Sequence, residues 1–127
     1  MAEDLAARFP DREDSRYYSA TSLFMRSRIA EARDETSRLL SRHPKSARGH
    51  NLRGILCATE KDLSCAREAF ETSLRLDPKD ASVYANLGKV QLELGQDEEA
   101  ADLFREAVAI DPMAVEAKES LRALTAR

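Results

Sequence analysis

The chain has 127 residues, 43% hydrophobic and 34% charged, with four Gly, no Trp and a formal net charge of −3. Recurrent apolar residues and a small net charge exclude a disordered chain, and a surplus of Ala, Leu, Glu and Arg over β-branched and turn residues excludes an all-β fold. Residues 1–50 are mildly basic and residues 81–127 acidic, but both signs are mixed throughout, which argues against a nucleic-acid partner.

The opening MAEDLAARFP contains acidic side chains and no apolar run, so it reads as neither a signal peptide nor a membrane helix. No other stretch approaches the roughly 18 apolar residues a spanning helix needs. A soluble, cytoplasmic protein with no membrane partner is expected. Cys57 and Cys65 lack a CxxC or Cys/His pattern, so neither a disulfide framework nor a zinc site is indicated. They are expected to be two small apolar packing residues.

Taken in chain order, residues 2–9 look helical and stop at Pro10, because proline cannot continue the hydrogen-bond ladder and disfavours helix just before it. This piece reads either as the last helix of a repeat whose first half is missing or as a frayed tail. Residues 13–44 hold two helical patterns, about Asp14 to Arg26 and Ile29 to Arg42, separated by a polar break around Ser27. Residues 47–78 repeat the arrangement, with a turn at Lys61-Asp62 and Ala66, Phe70 and Leu74 on one face of the second helix.

Residues 81–112 show it best. Val83, Leu87, Val90 and Leu94 form one apolar stripe, Gly95 ends the helix as a left-handed cap, and Ala100, Phe104, Ala107 and Val108 form the facing stripe. Two helices joined by so short a turn make an αα-hairpin. Past Pro112 one more helix is expected, with Ala117, Leu121 and Leu124 inward and Arg122 where the preceding units carry Gly54 and Gly88. It reads as the element that closes the array.

The four prolines, Pro10, Pro44, Pro78 and Pro112, recur every 34 residues, the mark of a repeat array. Within residues 81–112, Tyr84, Leu87, Gly88, Gly95, Ala100, Phe104, Ala107 and Pro112 resemble the tetratricopeptide repeat signature, and Gln91 departs from it where Tyr is preferred. The unit from Ala47 keeps Gly54, Ala66, Phe70 and Pro78, but has Lys61 for the turn glycine and Arg53 for the apolar Leu. The unit from Glu13 keeps Ala20, Leu23, Ala32, Leu39 and Pro44, with Thr36 in the Phe position. The resemblance implies an all-α, right-handed α-solenoid. Its parts would be a partial repeat (1–12), repeats at 13–46, 47–80 and 81–114, and a capping helix at 115–127.

No catalytic constellation emerges. There is no phosphate-binding glycine motif, and His43 and His50 read as a cap and a packing residue. Asp97, Glu98 and Glu99 open a helix, where carboxylates suit its N-terminal dipole. The expectation is therefore a non-enzymatic scaffold without metal or cofactor that binds another protein or peptide.

In the family it resembles, the first helix of each hairpin lines a concave groove. The matching positions here are Asp14, Tyr17, Thr21, Phe24 and Met25, then Arg48, Asn51, Ile55, Ala58 and Thr59, then Ser82, Ala85, Lys89, Leu92 and Glu93. Of these, Tyr17, Thr21, Phe24, Met25, Arg48, Asn51, Ile55, Thr59, Lys89 and Glu93 are the candidate contacts, with the divergent first hairpin as their centre. The carboxylate clamp of chaperone-binding members is absent: Tyr17, Thr21, Leu52, Ser82 and Asn86 stand at its positions. Two other readings stay open: an array serving a larger, possibly enzymatic protein, and a homo-oligomer formed through the N-terminal end.

Overall fold

A computed structural model describes residues 12–126. The expected helix over residues 2–9 lies outside that range. Seven helices follow: α1 (Glu13–Met25), α2 (Ile29–Arg42), α3 (Ala47–Thr59), α4 (Leu63–Leu76), α5 (Ala81–Glu93), α6 (Asp97–Ile110) and α7 (Val115–Thr125). They pair as the hairpins α1/α2, α3/α4 and α5/α6, with α7 packed on α6, and form an all-α right-handed solenoid.

Local chemistry sets the helix ends. The Ser46 hydroxyl accepts from the Gly49 N–H, Asp62 from the Cys65 N–H and Asp80 from the Ser82 N–H, satisfying donors that the first turn leaves unpaired. The turn inside each hairpin needs one residue in the left-handed region. Ser27 (φ 63°), Lys61 (φ 64°) and Gly95 (φ 81°) occupy it, each 34 residues after the last. Only the third is a glycine, the residue with no steric penalty there.

The core is three contiguous clusters. One holds Ala20, Ala32, Leu52 and Leu56, the next Ala66, Phe70, Val83, Leu87 and Val90, and the last Ala100, Phe104, Ala107 and Ala117. The stripe expected over α5 is buried at Val83, Leu87 and Val90, but Leu94 is exposed because α5 has ended and the chain is already turning. A Cβ on Gly54 would stand 2.5 Å from the Phe70 ring, and one on Gly88 would stand 2.7 Å from the Phe104 ring. Glycine at these positions lets the ring lie across the partner helix.

His50 and Tyr84 are equivalent in the repeat and do the same job. The His50 ring meets the Pro44 carbonyl at 2.9 Å and the Tyr84 hydroxyl donates to the Pro78 carbonyl at 3.0 Å, tying each hairpin to the turn before it.

The cysteines correct the sequence reading. Cys57 and Cys65 form a disulfide, with Cα atoms 5.8 Å apart. Cys57 lies in the last turn of α3 and Cys65 in the first turn of α4. The tight turn through Lys61 folds one helix back on the other, so eight residues of separation become a bridging distance. Rules built on CxxC or on secreted frameworks do not cover a pair facing across a helical turn.

The turn geometry carries a stability prediction. Lys61→Gly should stabilise the chain by about 0.5–1 kcal/mol by relieving the left-handed strain, and Gly95→Ala should destabilise it by about 1 kcal/mol. Urea midpoints measure both; a Lys61→Gly variant that melts earlier contradicts the strained-turn account.

Candidate binding groove

The first helices of successive hairpins approach one another directly, α1 to α3 and α3 to α5, which places them on the inner side of the curve. Helical spacing puts Arg48, Asn51, Ile55, Ala58 and Thr59 on the inner face of α3, and Arg53 and Cys57 on its opposite face.

Between α3 and α5 lies a cleft of about 260 Å³. Four of the expected contacts meet there: Ile55, Thr59, Lys89 and Glu93, with Leu63 and Asn86 beside them. Asn86 also donates to the Asn51 side-chain carbonyl at 3.2 Å, so a polar bridge crosses the inner surface. A second cleft of about 240 Å³ between α5 and α7 shares Asn86 and Lys89 and extends the surface past Ser82 and Ala85. Lys89 is ion-paired with Glu116 of α7, whose carboxylate is itself well exposed.

The residues of the first hairpin are arranged differently. The Arg48 guanidinium lies over the Tyr17 ring at 4.5 Å and near the Tyr18 ring at 5.8 Å. It also donates to Glu13 at 3.3 Å and to Asp14. Burial acts to lower the Arg48 pKa, but the hydrogen bond to Asp14 and the charges of Glu13 and Asp14 outweigh it, so the net shift is upward. Ser46 joins this network by donating to Glu13 at 2.6 Å. Arg48 thus spends its charge inside the protein, stapling α1 to α3.

Phe24 packs against the first core cluster, Met25 is exposed at the end of α1, and the Thr21 hydroxyl is buried without a partner among the described residues. Asn86 and Glu116 were missed as groove residues. Asn86 sits one position beyond the contact pattern used for the sequence reading, and Glu116 reaches the groove from α7, a helix read only as a cap.

Tetratricopeptide-repeat signatures match residues 14–46 and 62–114. The chain is a tetratricopeptide-repeat protein. Its repeats make it a scaffold for protein–protein interaction. Comparison with curated proteins finds no sequence match.

Several solved structures share the fold of this repeat protein. MamA is 15% identical with a TM-score of 0.86, over 98% of this chain and 73% of MamA. The Arabidopsis OM64 TPR domain is 17% identical with a TM-score of 0.85, over 91% of this chain and 95% of that one. The first TPR of Spaghetti (RPAP3), bound to the HSP90 peptide SRMEEVD, is 18% identical with a TM-score of 0.83, over 87% and 88%. Identities this low speak to the fold alone. Among the described residues no helix is long and apolar enough to cross a membrane, and no acidic, His or Cys cluster could hold a metal ion.

The Arg48 network makes a quantitative prediction. Arg48→Ala should cost about 1 kcal/mol of stability at low salt, because it removes the ring contact and leaves Glu13 beside Asp14 unneutralised. High salt should shrink that cost. Paired denaturation curves at two ionic strengths measure it, and a salt-independent cost would assign the effect to packing instead.

Proposed function

We propose that this repeat protein is a non-catalytic scaffold that captures an extended peptide segment of a partner protein along its inner face. The observation that carries the reading is the α3/α5 cleft. Ile55 and Leu63 supply an apolar floor, Asn86 an amide, and Lys89 a cation at the rim. The chemistry suits a segment with one apolar anchor and a nearby carboxylate, which would take the place of the exposed Glu116 on Lys89. Rigid hairpins hold this surface in advance, so the peptide alone loses conformational freedom on binding.

Tyr17, Thr21, Phe24, Met25, Arg48 and Asn51 extend the reading toward the first hairpin, where the stacked Tyr17–Arg48 pair offers shape more than free charge. The Spaghetti domain, which holds an acidic peptide on the same fold, supports the general mode. This chain lacks the carboxylate clamp of chaperone-binding members, so a partner is expected to dock by an internal segment and not by a free C-terminal carboxylate.

A second reading, an array that serves a larger assembly, is favoured by the apolar end of the solenoid. Met113 is 79% exposed and Val115 60% exposed beside Ile110. Self-association through the N-terminal end concerns residues outside those described.

Selection from a displayed random-peptide library tests the groove. Enriched peptides should share an apolar residue and an acidic one, and Lys89→Glu or Thr59→Arg should weaken their binding at least about tenfold with unchanged helical circular dichroism. Equal binding by those variants would remove the α3/α5 cleft from consideration. The reading also keeps the cytoplasm as the place of work, where the Cys57–Cys65 bridge persists only if it resists reduction. Thiol trapping in intact cells should find the bridge formed; free thiols there would show that it does not fasten α3 to α4 in the cell.

A further inference from the structure

A cavity lies on the other side of α3 from the groove. Its origin can be read from the repeat. At the interface between the second and third hairpins, Phe70 packs against Val83, Leu87 and Val90. One repeat earlier the equivalent residues are Thr36 for Phe70, and Gly49, Arg53 and Leu56 for the three apolar partners. The ring is gone, and two of the three side chains that would have met it are replaced by a glycine and a cation. Ala20 stands where Gly54 and Gly88 stand in the later units, and its buried methyl takes back part of the space. What remains is a cavity of about 490 Å³, whose lining includes Arg33, Thr36, Arg53, Leu56 and the Cys57–Cys65 bridge. That volume is within the range of small-ligand sites.

The charges around it are unequally satisfied. Arg33 is paired with Glu60, and Asp62 caps α4 by accepting from the Cys65 N–H. Arg53, exposed at the cavity mouth, has no hydrogen bond or ion pair among the described residues, so its guanidinium is the one without a direct partner, although the two arginines and two carboxylates of the lining balance in charge. Ser37 adds a hydroxyl, and the other lining residues offer mainly apolar contact. The Thr36 hydroxyl is committed to the Ala32 carbonyl at 2.7 Å, and Leu56 and the disulfide bring no charge. A slot shaped by the loss of an aromatic ring, with one unpaired guanidinium beside it, selects a ring that carries a carboxylate. A guanidinium binds a carboxylate through two parallel hydrogen bonds.

We propose that the cavity between the first and second hairpins is a second binding site, which takes an aromatic group in the place vacated at Thr36 and pairs its carboxylate with Arg53. It is independent of the peptide reading, since none of the groove contacts on α3 lines it. The same chemistry is found in a free aromatic acid and in a phenylalanine at the C-terminus of a chain.

Calorimetry and ligand-observed NMR on the full chain test it with two probes: 3-phenylpropionate for the first source and N-acetyl-Ala-Ala-Phe for the second. At least one acid should bind at about millimolar strength or better, and its neutral amide should bind more weakly. Arg53→Leu, which installs the residue type found at Leu87 and so keeps the fold, should weaken the acid at least about tenfold. The double variant Ala20→Gly with Thr36→Phe rebuilds the glycine–ring pair of the later hairpins and should abolish binding by filling the slot. Lys89→Ala in the groove should change nothing. Binding of the tripeptide alone assigns the site to a chain terminus, and binding of 3-phenylpropionate assigns it to a free acid. No binding of either acid, or undiminished binding by Arg53→Leu, overturns the proposal.

Discussion

The fold depends on one close contact, made twice: an aromatic ring laid across a glycine. Phe70 crosses Gly54 and Phe104 crosses Gly88, each at a distance that forbids any Cβ on the partner. The contact does two things at once. It draws the two helices of a hairpin together, and it leaves the far side of the ring to meet the next element, Val83, Leu87 and Val90 for Phe70 and Ala117 with its neighbours on α7 for Phe104. A buried phenylalanine of this kind typically contributes about 3–5 kcal/mol against truncation to Ala, so it is the largest apolar term at each junction. In a solenoid each unit contacts only its neighbours, and stability is close to a sum of such junctions.

The first junction is built by other means. Without the ring, α1 and α3 are joined by the Glu13–Ser46–Arg48–Asp14 network and by Arg48 stacked on Tyr17. Partly exposed charge networks stabilise less than a buried ring and respond to salt, whereas ring burial does not. The chain therefore has an apolar junction between hairpins two and three and a mixed one between hairpins one and two, where the small Ala20–Ala32–Leu52–Leu56 cluster is supplemented by charge. The same substitutions that weaken the first junction open the cavity behind α3.

Period was legible in the sequence, and contacts were not. The prolines at 34-residue spacing, Gly95 and the two Gly/Phe pairs each reflect a backbone or packing demand that few residue types meet, so residue identity alone reveals the helix pairs and their turns. Ser27 and Lys61 adopt the same left-handed turn with no such signature, because the neighbouring helices impose the geometry whatever residue is there. The disulfide was not legible because it depends on how tightly that turn closes. Pairing choices were also hidden. Arg48 was expected at the groove for its charge, yet Glu13 and Asp14 lie one repeat earlier in sequence and directly beside it in space.

These differences move attention from the first hairpin to α3. Divergence from a repeat signature marks where packing constraints have been relaxed, but it does not say which face has been released. In α1 the departures are absorbed internally: Phe24 into the core, Tyr17 under Arg48. In α3 they are not. Its inner face carries Asn51 and Ile55 to the groove, and its outer face carries Arg53 to a cavity where a leucine would have been covered. Between those two faces α3 is held by Gly54 under the Phe70 ring and by Leu52 and Leu56 in the first core cluster, and its ends are fastened as well. Ser46 caps one end and is tied to α1, and the Cys57–Cys65 bridge ties the other to α4. Fastened ends and a packed central stripe together let α3 present polar residues on both of its open faces without losing its place between α1 and α4.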